Sequence, residues 1–381
     1  MSEPVIRATR STVAPDVVFG DGVVIEAEEL EIGPGARIGV SDIDRFRTPP
    51  GVEIRVRSLR LGAGVQIGPA VRVDGGAVTL GDGVSILRHS TIRVLDELEI
   101  GHGGTVNERC EIGGRSVRLG QELWMLPGAK IGGGSAFEHA SRLEAGHYLH
   151  LGVDTFINTA RPVTIGHEVG LGTRTSIYTH GAYPSRLQGF PVAFDGVDIG
   201  DFSWVPGAVI NPGVRIGRNC VIGVNSLVTT SIPDGSLAAG SPARVIRENA
   251  YPAPLSAEAE LEFYQAFLAS YASVLGVDAI PVRDYDRVVL QTPDATYVAG
   301  APRDDGGRTL LIGPGVSDGI GPATTALDTE SRRITGIADR VSDRLVNELR
   351  RYGIRFYSRP LGDHYADWSV EPPSPGSPAG A

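Results

Sequence analysis

Aliphatic residues recur at every sixth position over residues 199–247 of the chain. Ile210, Ile216, Ile222 and Val228 keep this spacing, and Gly, Pro and Asn residues are frequent in the turns between them. A period of six fits neither the 3.6-residue turn of a helix nor the two-residue alternation of a simple strand. The pattern therefore predicts short strands that coil into a β-solenoid, which is a mainly β fold.

The same period extends upstream, beginning at Ile32 and Ile38 and resuming after a polar interruption that follows Val40. Its runs are Leu61, Ile67 and Val73; Leu80, Ile86 and Ile92; Ile100, Val106 and Ile112; Leu119, Met125, Ile131, Phe137, Leu143 and Leu149; and Ile165, Leu171 and Ile177. Between runs the phase slips by one or two residues, which we interpret as bulges or longer corners. Stacked coils of this kind, about ten in number, bury a continuous aliphatic core.

The pattern also predicts the domain organisation. We expect an irregular lead-in at 1–30, a β-helix domain at 31–247 with a projecting loop at 178–198, a linker at 248–255, a small α+β domain at 256–368 and a disordered tail at 369–381. In the α+β domain, helical spacing predicts one helix from an N-cap at Ser256 to Leu275 and a second from Ile337 to Leu349. The segments RVVLQ, ATYVAG, RTLLI and IRFYS are strand candidates.

Composition narrows the possible partners. The formal net charge of the 381 residues is -10, which argues against nucleic acid or an anionic membrane surface as the main partner. The two cysteines, Cys110 and Cys220, are too few to staple a fold of this size and suit a reducing compartment. The first residues lack a signal-peptide pattern, and the chain has no run of 18 apolar residues. These features predict a soluble cytoplasmic protein with no membrane insertion.

Four motifs in a fixed order carry a family resemblance. They are VTIG at 163–166, His180 in the projecting loop, the Trp204 segment with INPGVRIG, and AAGSPARVIR at 238–247. With this set the chain resembles the hexapeptide-repeat acyltransferases, and within them the coenzyme A-dependent sugar O-acetyltransferases of the galactoside and maltose type. The resemblance implies a left-handed parallel β-helix, a homotrimer, acetyl-CoA as co-substrate and a sugar-containing small molecule or glycan as acceptor. It covers residues 30–250 and implies nothing about the α+β domain.

The resemblance also assigns site residues. The catalytic histidine of the family falls on His180, a general base that suits acyl transfer from a thioester to a hydroxyl without a covalent acyl-enzyme. Asn158 resembles a residue that positions the acceptor, and the loop aromatics Tyr183, Phe190 and Phe194 are acceptor-binding candidates. For coenzyme A the corresponding positions are Trp204, Gly207, Ala208, Gly223, Val224, Thr229, Arg244 and Arg247. The glycine-containing turns are expected to offer open backbone groups to the pantetheine arm, and the two arginines charge-assisted hydrogen bonds to the phosphates.

Three other interpretations stay open from the sequence. An amino-sugar N-acyltransferase uses the same scaffold. His139, His147, His150 and His167 lie close together, as in a zinc enzyme resembling the γ-class carbonic anhydrases, although the acetyltransferase-like tail favours a site without metal. A non-catalytic β-helix could instead serve as an assembly scaffold, with the α+β domain as its binding module.

Overall fold

The computed structural model describes residues 3–40, 51–284, 286–302, 308–313 and 324–373. Contacts between residues divide the chain into two compact units, one that runs to Pro252 and one that begins at Ala253. The polar interruption after Val40 lies outside the described residues, as does most of the tail predicted at 369–381.

The first half of the β-helix alternates long strands with short ones. In chain order these are β1 (Val5–Val13), β2 (Val18–Phe19), β3 (Val23–Ile32), β4 (Arg37–Ile38), β5 (Val52–Leu61), β6 (Gln66–Ile67), β7 (Arg72–Leu80), β8 (Ser85–Ile86), β9 (Thr91–Ile100), β10 (Thr105–Val106), β11 (Glu111–Leu119) and β12 (Trp124–Met125). Each long strand pairs in parallel with the next long strand, and each short strand with the next short one. The register shifts between Gly75 and Ala77 and between Gly114 and Ser116, which confirms bulges at two of the phase slips.

After β11 each long strand is replaced by two shorter ones. The later strands are β13 (Lys130–Gly132), β14 (Arg142–Ala145), β15 (His150–Leu151), β16 (Phe156–Asn158), β17 (Val163–Ile165), β18 (Gly170–Leu171), β19 (Ser176–Ile177), β20 (His180–Gly181), β21 (Ala193–Phe194), β22 (Val197–Ile199), β23 (Trp204–Val205), β24 (Val209–Ile210), β25 (Arg215–Ile216), β26 (Val221–Ile222), β27 (Leu227–Val228), β28 (Leu237–Gly240) and β29 (Ala243–Arg247). Two pairs are antiparallel, β20 with β21 and β28 with β29, and the other pairs among these strands are parallel.

The aliphatic positions of the six-residue period point inward and form one continuous core. Ile210, Ile216, Ile222 and Val228 are fully buried, as are most of the upstream positions. The predicted fold class, a parallel β-helix followed by a small α+β unit, is confirmed. Phe137 is an exception to the pattern: it is 38% exposed and lies between β13 and β14, where the chain makes a wider corner.

The prediction of an irregular lead-in at 1–30 is wrong from Val5 onward. Strand β1 pairs in parallel with β3, with Val5 beside Val24 and Val13 beside Ile32, so this segment adds coils to the solenoid. The period is hard to see there because the coil is longer than three hexads and because Arg, Ser and Thr occupy much of β1.

A column of polar side chains caps one corner of the β-helix. Each accepts a hydrogen bond from a backbone N–H one coil earlier; the acceptors are Asp82, His102, His147, His167, Asp201 and Asp234. The imidazoles of His147 and His167 stack with their centroids 4.8 Å apart. Burial, and then the neighbouring His167, lower the pKa of His147 to about 4. The corner therefore holds this imidazole in its neutral form.

The second unit consists of two helices and antiparallel β-strands. Its elements are α1 (Ala257–Leu275), β30 (Val282–Asp284), β31 (Arg287–Gln291), β32 (Thr296–Pro302), β33 (Arg308–Gly313), β34 (Thr325–Asp328), β35 (Arg333–Thr335), α2 (Arg340–Arg350), β36 (Ser358–Leu361) and β37 (His364–Asp367). Ser256 caps α1 as predicted. Neither helix is both long and apolar enough to cross a bilayer, as judged over the described residues.

Two details of the second unit differ from the predictions. The second helix begins after Asp339, whose carboxylate accepts from the N–H groups of Val341 and Ser342, so Ile337 precedes the helix. The strand expected at IRFYS begins only at Ser358, which pairs with Asp367. Capping by Asp339 overrides the apolar spacing that suggested an earlier start.

The state of His147 predicts a pH dependence of stability. Its folded pKa of about 4 lies below its ordinary value, so the unfolded chain binds more protons between the two values. The contribution is complete above the ordinary pKa and is lost as the pH falls toward 4. Because the ring is only half-buried, we expect a loss of about 1 to 2 kcal/mol in the free energy of unfolding.

Urea unfolding at pH 7.5 and pH 4.5 measures this loss, with His147→Gln as the matched control. The glutamine carbonyl can accept the same backbone N–H without titrating. The wild type should lose more stability than the variant on acidification. Equal losses in the two proteins would contradict the assignment.

Candidate active site

His180 lies at the base of the projecting loop. The loop leaves the coil after β19, and the antiparallel pair β20 and β21 sets His180 opposite Phe194. A short 3-10 helix, Arg186–Gln188, forms part of the outer loop. Tyr183 near this outer end is fully exposed. The local pairing therefore fixes His180 against the coil, whereas the outer part of the loop projects into solvent.

The side-chain amide of Asn158 orients the imidazole of His180. Asn158 is 1% exposed, and its Nδ2 donates to the carbonyl oxygens of Gly132, at 3.2 Å, and Gly134, at 3.1 Å. Its Oδ1 lies 2.6 Å from Thr179 Oγ1 and 2.9 Å from His180 Nδ1.

This arrangement assigns the tautomer of His180. Backbone carbonyls can only accept, so the NH₂ group of Asn158 must face them and its Oδ1 must face His180. The Nδ1 atom of His180 therefore carries the proton, and this N–H donates a hydrogen bond to Asn158 Oδ1. The second ring nitrogen, Nε2, keeps its lone pair and is the atom that can take a proton from a substrate.

The three loop aromatics have different surroundings. Phe194 stacks on the His180 ring, with centroids 5.8 Å apart and planes at 15°. Phe190 is half-exposed, and its carbonyl accepts from Arg186 at 3.4 Å. Among the ring contacts of the described residues, Phe194 is the one of these three aromatics that contacts His180.

A groove of about 860 Å³ runs along another corner of the β-helix. Three of the residues expected at the donor site, Trp204, Gly207 and Val224, line it. The lining residues that were not predicted from the sequence include His150, Thr173, Arg174, Asn225 and Ser226. Arg174 and Asn225 hold the corner with positive φ, and the TRTS and GVNS turns in the sequence were the available signal.

The other donor candidates do not line this groove. Ala208 is fully buried in the core, and a Cβ on Gly223 would meet the side chain of Ala239. Thr229, Arg244 and Arg247 are exposed, the two arginines on β29, outside the groove lining.

The glycine turns of the groove use their backbone groups within the protein. The N–H of Gly207 donates to Thr175 Oγ1 at 2.9 Å, and its carbonyl accepts from Asn225 at 3.1 Å. Gly223 is paired likewise: its N–H donates to the carbonyl of Ala238, and its own carbonyl accepts from Ser226 Oγ. The expectation of an open N–H is therefore wrong for Gly207 and Gly223, because the stacked coils already satisfy these two groups; each carbonyl keeps a second lone pair.

The groove and His180 lie at opposite ends of the same short strands of the β-helix. Arg174 comes just before β19 and His180 just after it, and Gly207 likewise precedes β24. At about 3.3 Å per residue, the extended path from Arg174 to His180 spans at most about 20 Å.

Trp204 sits in a column of aromatic residues beside the groove. Its ring centroid is 6.4 Å from that of His150, which lies 6.0 Å from that of Trp124. Gly170 separates His150 from Trp204 in the strand ladder, and the Trp204 ring occupies the space that a Cβ there would need. The missing side chain of Gly170 therefore allows Trp204 to lie flat along the sheet.

Three of the four histidines of the zinc interpretation are divided between two columns of side chains. His147 and His167 stack in the corner column, where the Nδ1 atom of each accepts a hydrogen bond from a backbone N–H. His150 belongs to the aromatic column instead. Within the part of the chain that the structure describes, no group of three or more His, Cys, Asp or Glu residues is placed to hold a metal ion.

Replacing Gly170 by alanine should displace the Trp204 ring into solvent. In a background that lacks Trp124 and Trp368, we expect a red shift of the emission from Trp204, which is 43% exposed in the structure. Gly181→Ala is the control, because a Cβ there meets nothing within 4 Å. An unchanged Gly170→Ala spectrum would show that Trp204 does not pack over this residue.

Comparison with known proteins places the chain among acetyltransferases. Galactoside O-acetyltransferase of Escherichia coli (strain K12) is 34% identical over 134 residues, which are 34% of this chain and 63% of that protein. The chain thus spans less than two thirds of this relative. WcaF of the same organism, provisionally named a colanic acid biosynthesis acetyltransferase, is 30% identical over 133 residues, 35% of this chain and 69% of that protein.

No family model matches the chain. A solved galactoside acetyltransferase in complex with coenzyme A is 29% identical and covers 35% of this chain and 64% of its own, with a TM-score of 0.27, too low to support a site assignment by superposition. The match to WcaF covers more than two thirds of that protein at 30% identity. The chain therefore belongs to the hexapeptide-repeat acetyltransferases, the family that its motifs indicated.

Proposed function

We propose that the protein is an acetyl-CoA-dependent O-acyltransferase that modifies a hydroxyl of a sugar, glycan or glycosylated small molecule. The observation that carries the proposal is the pair formed by His180 and Asn158. A buried amide that fixes Nδ1–H leaves Nε2 as a base at the foot of a loop, in a family of acetyltransferases.

His180 would act on the acceptor hydroxyl directly. Its Nε2 takes the hydroxyl proton as the oxygen attacks the thioester carbonyl carbon, and a backbone N–H stabilises the oxyanion. When the C–S bond breaks, the thiolate of coenzyme A leaves and takes the proton from the imidazolium. The products are the acyl ester and the free thiol, so no acyl-enzyme is needed.

Asn158 is assigned a positioning role in this mechanism. All the polar atoms of its amide are bonded within the chain, so contact with the acceptor is not required of it. Its contribution is to hold the ring of His180 and to select the tautomer.

The groove at the corner of Gly207 is the proposed donor site. Its volume of about 860 Å³ suits the pantetheine arm, and we assign Trp204 to the acyl end and Val224 to the wall. Arg174 adds a positive charge to the lining, and the exposed Arg244 and Arg247 are available for the phosphates of coenzyme A.

A homotrimer would bring the two half-sites together. Within one chain, His180 and the groove face outward at opposite edges of a strand face. Around a threefold axis, one edge of each subunit meets the other edge of its neighbour. The site is then formed by His180 of one subunit and the groove of the next.

The acceptor class rests on the relatives. They are named for galactoside acetylation and for colanic acid biosynthesis, so a sugar hydroxyl is the proposed acceptor. A cytoplasmic location is proposed with it, because Cys110 and Cys220 are both buried free thiols, which suits a reducing compartment.

Replacing His180 by alanine should lower kcat by about 100-fold or more, the usual contribution of a general base, while the affinity for coenzyme A changes little. Turnover is measured by thiol release in a sugar acceptor screen, and affinity by thermal shift. His364→Ala, at an exposed histidine of the second unit, is the control. Unchanged turnover in the His180 variant would overturn the mechanism.

Mixing two inactive variants tests the shared site. His180→Ala keeps the groove, and Val224→Trp fills it while keeping the base. In random mixed trimers, about a quarter of the sites combine an intact base with an intact groove, so activity should recover to about a quarter of the wild-type value. No recovery, or a particle mass other than about three chains of 40.2 kDa, would contradict the trimer.

A further inference from the structure

A chain of four side chains leads from the protein surface to His180. The carboxylate of Glu138 lies 3.2 Å from Nη1 of Arg161. The Arg161 guanidinium lies over the ring of Phe194, 4.9 Å from its centroid. Phe194 in turn stacks on the imidazole of His180.

The guanidinium has a fixed geometry. Besides Glu138, its Nη1 bonds the carbonyl of Ala160 at 2.7 Å, and the side chain is only about a quarter exposed, at 27%. Planar guanidinium groups stack on aromatic faces, which a lysine ammonium does less well. The two bonds of Nη1 therefore hold the guanidinium over the ring of Phe194.

Phe194 needs such support. The ring is 44% exposed, and the loop that carries it is joined to the coil near His180 by a two-residue strand pair. The hydrogen bond that His180 Nδ1–H donates to Asn158 Oδ1 fixes one atom of the imidazole but leaves rotation about the Nδ1–H···Oδ1 direction open. A ring stacked against the imidazole face restricts that rotation, which decides where Nε2 points.

We infer that Arg161, anchored by Glu138, is a positioning residue that holds Phe194 against the imidazole and so aims Nε2 of His180 at the acceptor hydroxyl. This inference rests on the proposed function. In it Phe194 orients the imidazole of His180, in addition to the acceptor contact expected from the sequence.

The backbone of residue 161 supports the same site independently of its side chain. The N–H of Arg161 donates to Thr179 Oγ1 at 3.1 Å, and Thr179 contacts Asn158 Oδ1. Substitution of the side chain leaves this backbone bond available. Variants at residue 161 therefore test the guanidinium and not the Asn158 network.

A double-mutant cycle between Arg161 and Phe194 tests the inference. Arg161→Ala should lower kcat by about tenfold with little change in KM for acetyl-CoA, because ring orientation affects the transition state more than donor binding. In a Phe194→Leu background the same substitution should cost less than about twofold, because its route to His180 is already removed.

Control variants separate positioning from charge and from folding. Arg115 is the matched control: it also pairs with a carboxylate, Asp96, and also bonds the loop that carries Glu138, yet it is not stacked on Phe194. Arg115→Ala should keep wild-type kcat. Arg161→Lys, which keeps the charge, should recover only part of the loss, and Glu138→Gln should lower kcat in the same direction by less.

The outcomes distinguish failure of this inference from failure of the proposed function. If Arg161→Ala and Phe194→Leu are additive, or if Arg161→Lys restores full kcat, Arg161 does not act through Phe194 and the inference is overturned. If the wild type transfers no acetyl group from acetyl-CoA to any sugar acceptor, the proposed function itself fails. Thermal unfolding of every variant shows that the compared proteins are folded.

Discussion

The structure depends on the parallel stacking of coils, in which backbone groups of each coil bond to the coils before and after it. This stacking buries the aliphatic columns and satisfies the backbone at the same time. It also sets residues one coil apart in direct contact. Asn158 and His180 are distant in sequence, yet the ladder brings them within hydrogen-bond distance at one edge of the solenoid.

The same constraint explains how the site is built. Three successive coils widen at that edge, at residues 132–141, 158–162 and 178–196, and these three corners supply Glu138, Arg161 and the His180 loop. The neutral amide of Asn158 orients the imidazole without placing a full charge beside it. The opposite edge keeps tight turns instead, with Gly207 and Asn225 at positive φ, and there the stacked coils leave a groove.

The sequence predicted most of the fold because the buried positions follow one period. It identified the solenoid, the projecting loop and the helix capped by Ser256. It failed where the period is obscured by local chemistry: polar residues fill β1, and Phe137 keeps the spacing although the chain turns outward there. Asn158 was found through the family, but its contact with His180 depends on coil register, which one sequence does not give. The paired backbone of Gly207 and the stack of Arg161 on Phe194 likewise arise only from three-dimensional packing.

The central claim is that Asn158 holds His180 as the tautomer with a free Nε2. The nitrogen-15 chemical shifts of the His180 ring, assigned by their loss in His180→Ala, measure this directly at a pH where the ring is neutral. We expect a protonated, pyrrole-like Nδ1 and an unprotonated, pyridine-like Nε2, with that distinction weakened in Asn158→Ala. A protonated Nε2 in the wild type would contradict it, because that nitrogen could not accept the proton of the acceptor hydroxyl.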